Sequence, residues 1–154
     1  MKPLFIILTA LTTVFSSASF ANSTKPNPGT DKVAPAALKS FESSFGNAQE
    51  VDWSVTNNYY KVVFAMNGQY ITAFYGNAGN LMGLTRNISS TQLPISLQAE
   101  LKKEYSEFWI SDLFEVANDE GTHYYITIEN SETKLVLKGS TDGSWSTFQK
   151  SRKA

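Results

Sequence analysis

The chain has 154 residues, 42% of them hydrophobic, 18% charged and 13% aromatic, with a formal net charge of −1. That is the composition of an ordinary globular domain with enough aromatic side chains for a real core. Near-neutrality provides no field to gather nucleic acid or an anionic membrane surface, and the absence of cysteine removes disulfides and thiol chemistry.

The first 21 residues read as a cleavable signal peptide. Lys2 is a short basic start, Leu4 to Phe15 is an uncharged apolar run, and Ser19-Phe20-Ala21 fits the small-x-small cleavage pattern. A spanning helix needs about 20 apolar residues, so this run is too short for an anchor. With no cysteine to accept lipid, the expected product is periplasmic or secreted and free of the membrane after cleavage.

Residues 22–32 are polar, with two prolines and a glycine, and read as a flexible linker, with order expected from Val33. Ala34, Ala37, Leu38, Phe41 and Phe45 then recur at helical spacing, with Pro35 suited to a first turn and Gly46 to the exit. Strand patterns follow at Val51 to Val55, Tyr59 to Met66, Tyr70 to Tyr75 and Leu81 to Arg86. Asn67-Gly68 is the pair favoured by a two-residue type I′ hairpin, where both positions need positive φ.

The order then repeats. Pro94 opens a helix with an apolar stripe at Leu97, Leu101 and Tyr105, and strands are expected at Trp109 to Ala117, His123 to Glu129, Lys134 to Lys138 and Trp145 to Phe148. Lys150, Arg152 and Lys153 read as a frayed, solubilising tail. Pro35 aligns with Pro94, Gly76 with Gly139 and, given a one-residue insertion, Gly79 with Gly143. The expected fold class is therefore α+β: one domain over 33–150 made of two helix-plus-four-strand repeats (33–90 and 91–150), joined in one antiparallel sheet with both helices on one face.

Trp53-Ser54, Tyr60 to Phe64, Phe74-Tyr75 before Gly79-Asn80-Leu81, Leu93-Pro94 opening a helix that ends near Tyr105, and Tyr124 to Ile128 together resemble the PepSY-like domain. That domain is related in architecture to the β-lactamase-inhibitor-protein (BLIP) fold. The resemblance runs from about Val33 to Phe148. It implies a helix-on-sheet repeat, export from a Gram-negative cell, and a role in binding or inhibiting other proteins.

Catalytic chemistry finds no footing in the sequence. His123 is the single histidine, no Gly-x-Ser-x-Gly elbow occurs, and a zinc or copper site lacks ligands, so no enzyme activity, metal or cofactor is expected. Asp112, Glu115, Asp119 and Glu120 lack calcium-loop spacing and read as structural or solvated.

Strand parity is more informative, because alternate residues face opposite sides of a sheet. Tyr60, Val62, Phe64 and Met66 form the expected core face. The other face is assigned Tyr59, Lys61 and Val63, continued by Ile71, Ala73 and Tyr75, and in the second repeat by His123 and Tyr125. This half-aromatic, half-charged face is the candidate binding surface for a protein or peptide of the cell envelope. A homodimer through it, or cover within the chain, are the competing uses.

Overall fold

The computed structural model describes residues 29–153. The expected signal peptide, residues 1–21, lies outside the described residues, as do residues 22–28 of the expected linker. Regular structure begins one turn earlier than Val33, with a 3-10 turn at Thr30–Lys32. Gly29 before it lies so close to β1 (Gln49–Val55) that an added Cβ would be 2.3 Å from the carbonyl oxygen of Trp53.

Helix α1 spans Pro35–Phe45, with Pro35 at its first turn, where the missing N–H costs nothing. Strand β1 follows, then β2 (Tyr59–Met66), β3 (Gln69–Gly76) and β4 (Leu81–Asn87). A 3-10 turn at Ser90–Gln92 leads to α2 (Ile95–Glu104). Strands β5 (Trp109–Asn118), β6 (Gly121–Glu129), β7 (Thr133–Ser140) and β8 (Trp145–Arg152) complete the second unit. All eight strands form one antiparallel meander in sequence order. The helix-plus-four-strand unit, used twice, is the α+β architecture that the sequence pattern predicts.

Two cores lie side by side on one face of this sheet. Ala37 and Phe41 of α1 pack with Trp53, Val62, Phe64, Ala73 and Tyr75. Leu97 of α2 packs with Leu113, Tyr124, Ile126, Ile128, Leu135, Leu137 and Trp145. Leu84, packed against the first core, pairs with Ala117 in β5, four positions along from Leu113 of the second core. An even interval preserves the face, so both helices cover the same side. Full burial of a large apolar side chain contributes roughly 1.5–3 kcal/mol, so these two clusters supply most of the stabilisation available without disulfides.

The repeat is real, with two expected alignments each displaced by one residue. Gly79 and Gly143 correspond: both have positive φ, and an added Cβ would come within 2.6 Å of Ala36 and 2.5 Å of Ser96, in the first turns of α1 and α2. Gly79 N–H donates to Gly76 and Gly143 N–H to Ser140, so Gly76 corresponds to Ser140 and Tyr75 to Gly139. Pro35 is the first residue of α1, whereas Pro94 is the N-cap of α2.

The displacement exposes an exchange of volume. In the first unit a small helix residue, Ala37, faces a large strand residue, Tyr75; in the second a large helix residue, Leu97, faces Gly139. Each unit fills the space under its helix from the opposite side.

The C-terminal segment is a strand. β8 runs to Arg152, Lys153 N–H donates to Glu132, and the Lys153 ammonium sits 2.6 Å from Glu129 and 4.6 Å from the Trp109 ring centroid. The tail expected to fray is tied across β6 and β5 because its lysine finds both a carboxylate and an aromatic face.

Candidate binding face

The face opposite the helices is assembled by register. Asn67 and Gly68 both have positive φ and close the β2–β3 hairpin in two residues. Met66 and Gln69 are thereby direct partners, Val63 pairs with Thr72 and Lys61 with Phe74. Tyr59, Lys61 and Val63 therefore share the open face with Tyr70, Thr72 and Phe74.

This corrects three of the eight expected site residues. Ile71, Ala73 and Tyr75 lie on the helix side, paired with Phe64, Val62 and Tyr60. Ala73 and Tyr75 have no exposed surface, and Ile71 packs against the same core. The physical reason is the turn length: a two-residue loop places even-numbered residues of β2 opposite odd-numbered residues of β3, and a one-residue error exchanges the faces. Phe74 and Tyr70 take the places expected for Tyr75 and Ile71.

In the second unit His123 and Tyr125 are on the open face as expected, since Tyr124, Ile126 and Ile128 are in the core. Phe114 joins Tyr125 as its cross-strand partner, and Phe148 reaches the same ring from a bulge between β7 and β8.

The open face thus carries two aromatic groups. Tyr59 and Phe74 meet edge to face at 5.7 Å between centroids. Phe114 and Tyr125 stack at 5.4 Å and 12°, and Phe148 stands against Tyr125 at 5.5 Å and 87°. Lys138 places its ammonium 5.8 Å from the Tyr125 centroid. Phe148 is 64% exposed and Tyr70 61%. The Tyr70 hydroxyl donates to Glu50, and that carboxylate raises the pKa of the phenol.

Glu129 accepts from Lys153 and lies 3.6 Å from Lys134; the Lys153 contact, then the Ser111 hydroxyl, hold its carboxyl down at a pKa of about 2. Asn87 donates to Asp112. Glu115 turns to the helix side, where Arg86 makes a two-pronged contact with it and donates to Gln69 across the seam between the two cores.

No protein-family model matches the chain, and no curated protein sequence matches it either. Solved structures do. A BLIP-like protein of Bacteroides fragilis NCTC 9343 superposes with a TM-score of 0.67 at 18% identity, over 78% of this chain and 86% of that one. A DUF2874 family protein of Bacteroides ovatus ATCC 8483 gives 0.68 at 18% identity, over 78% and 87%. A protein of Bacteroides eggerthii DSM 20697, provisionally described as periplasmic, gives 0.67 at 14% identity, over 78% and 88%. At these identities the likeness establishes the fold, which is BLIP-like.

Proposed function

We propose that this chain is an exported module that binds a protein or peptide of the cell envelope with the sheet face turned away from its helices. One observation carries the reading. Among the described residues that face has no helix against it, yet it presents Tyr59, Phe74, Phe114, Tyr125 and Phe148 in two groups. Phe148 is exposed and the other four rings are half-buried. Solvent-accessible aromatic clusters with interspersed lysines are the composition of interface centres, where desolvated rings supply most of the affinity. The BLIP-like fold and the provisional periplasmic description of one neighbour are consistent with this role. In the same reading the leader is removed after Ala21, leaving Asn22 as the first residue, and no catalytic step is assigned.

The test is selection of peptides from a random display library on the purified mature chain, followed by mapping. Tyr59→Ala and Phe74→Ala should each weaken the selected complexes by about 2 kcal/mol, the range of interface hot spots, whereas Lys39→Ala on the far side should leave them unchanged. Binders that map to the helix side would sink the reading. Sedimentation of the free chain should show a monomer; a dimer abolished by the same two substitutions would assign the face to a second copy instead. Intact mass of the exported protein checks the cleavage position.

A further inference from the structure

The two units differ at the outer edge of their fourth strand. In the first, that edge of β4 is filled by β5, with Leu84 to Asn87 paired to Ala117 to Phe114. In the second, β8 is last in the sheet and has no strand beyond it among the described residues. Its residues from Ser146 to Arg152 are all exposed. Lys153 N–H donates inward, to Glu132 just before β7. Inward and outward backbone groups alternate in an antiparallel ladder, so Arg152 and Lys150 turn their N–H and C=O away from β7. From the other end, Trp145 N–H goes to the Glu100 carboxylate rather than to β7, which turns Thr147 outward as well. The bulge at Phe148 accounts for the change of parity between them. Such a row of outward donors and acceptors is a template for one further strand.

The joint between β4 and β5 shows what kind of strand fits. Leu81 pairs with Tyr75 and Trp145 with Gly139, so Leu81 and Trp145 correspond. Arg86 and Lys150 each follow five residues later, beyond one bulge in either strand. Both lie on the helix side, Arg86 two places from Leu84 and Lys150 opposite Leu135. There Arg86 meets Glu115 of β5 at 3.1 Å. The neighbours of Glu115 along β5, Phe114 and Val116, face the open side, paired with Tyr125 and His123. Lys150 and Arg152 meet no carboxylate among the described residues. Phe148, between them and Trp145, is 64% exposed on the open side.

A second copy of the chain fits this edge poorly. The opposite edge, β1, is guarded by a bulge between Gln49 and Asp52, with Glu50 at positive φ, and by Gly29 against the Trp53 backbone. Two β8 strands related by a two-fold axis would bring both sets of Lys150 and Arg152 onto one side of the joint sheet, like charge beside like. We propose that β8 takes up an extended acidic segment of a partner protein as a further antiparallel strand. Its acidic side chains lie beside Lys150 and Arg152, and its alternate, apolar side chains lie beside Phe148 on the open face. This rests on peptide recognition by that face and adds the mode and charge of the peptide.

The experiment is a ¹H–¹⁵N titration of the mature chain with a capped peptide of alternating valine and glutamate, as long as β8. Two controls accompany it: the valine–lysine counterpart, and the valine–glutamate peptide N-methylated at every glutamate. The parent peptide should shift the amides of Thr147, Lys150 and Arg152 and slow their exchange with solvent, and both controls should bind at least about ten-fold more weakly. Lys150→Glu should weaken binding by about ten-fold. Thr147→Pro removes an outward N–H without touching the β7 ladder and should weaken it by a similar factor of about ten. Should Thr147→Pro lose its dispersed spectrum, the N-methylated peptide tests the same hydrogen bonds. No response at β8, equal binding by either control, or indifference to these substitutions would each overturn the proposal. Library-selected peptides weakened by Tyr59→Ala but indifferent to Thr147→Pro would keep the face and remove the edge. A dimer dispersed by Thr147→Pro in sedimentation would give the edge to a second copy and overturn the proposal too.

Discussion

Tyr60 and Tyr75 face each other across β2 and β3, and both rings lie on the helix side of the sheet. Their neighbours Tyr59 and Phe74 meet each other on the opposite side. Four consecutive-pair aromatics thus divide two and two between core and surface, and the division is fixed by a single backbone feature, the two-residue Asn67-Gly68 turn.

Tyr75 is fully buried, its ring 5.8 Å from Trp53, and its hydroxyl has no hydrogen-bond partner; burial raises its pKa. Replacing it by phenylalanine removes an unpaired polar atom and keeps the ring, so Tyr75→Phe should stabilise the domain by about 1 kcal/mol. Tyr75→Ala should cost about 3–5 kcal/mol. Tyr59→Ala, on the open face, should cost less than about 1 kcal/mol. Urea denaturation of the three variants reads all of this directly. A Tyr59→Ala loss as large as that of Tyr75→Ala would place both rings in the core and remove the binding face.

Element order, the helices and the repeat were legible because they rest on period and punctuation: apolar spacing in 34–45 and 97–105, and Asn-Gly or Gly-rich turns between strands. The face of β3 was also legible in principle. The Asn67-Gly68 turn that identifies the hairpin also fixes its register, and applying it would have sent Phe74 outward and Tyr75 inward. The same logic across the tight β5–β6 turn pairs Phe114 with Tyr125. Phe148 follows from alternation as well, since Trp145 is in the core and Ser146 pairs with Lys138 on the open face; what no residue pattern announces is the bulge opposite Val136 and Leu137 that leaves Phe148 without a cross-strand partner. Nor did Lys153 announce its seat; the partners, Glu129 and Trp109, come from β6 and β5 and are set only by tertiary pairing.

The exchange of volume between units predicts that Gly139 is irreplaceable while Leu97 stands over it. A Cβ on Gly139 would lie 2.9 Å from ring carbons of Trp145 and 3.1 Å from Leu97 Cδ1. Trp145 cannot retreat freely, since its indole N–H donates to the carbonyl of Leu97 at 3.0 Å. Gly139→Ala should therefore destabilise by about 1–3 kcal/mol, the usual cost of overpacking. Combined with Leu97→Val, the double variant should lose measurably less than the sum of the two single losses, because the smaller side chain vacates part of the space. Strict additivity in chemical denaturation would show that the helix does not press on this glycine.

The last prediction concerns acid. Glu129 has its pKa lowered from 4.5 to about 2, first by its contact with Lys153, then by the Ser111 hydroxyl, with Lys134 adding a smaller part. In the unfolded chain this carboxyl titrates near its ordinary value, so between about pH 4.5 and pH 2 the unfolded state binds a proton that the folded state does not. A depressed carboxylate contributes stability that is complete above the unfolded pKa and disappears as pH falls through the folded one. Folding stability should accordingly drop across this window by an increment that is absent in Glu129→Gln. Lys153→Met, which removes the largest cause while keeping an apolar stem near Trp109, should shrink the same increment without abolishing it, because Ser111 and Lys134 remain. High salt should reduce the Lys134 part more than the shorter Lys153 contact. Thermal unfolding of the three proteins at half-unit steps from pH 6 to pH 2 measures this directly. Parallel curves for wild type and Glu129→Gln would mean that the C-terminal lysine does not hold this carboxylate, and that the segment after β8 is not the clasp described above.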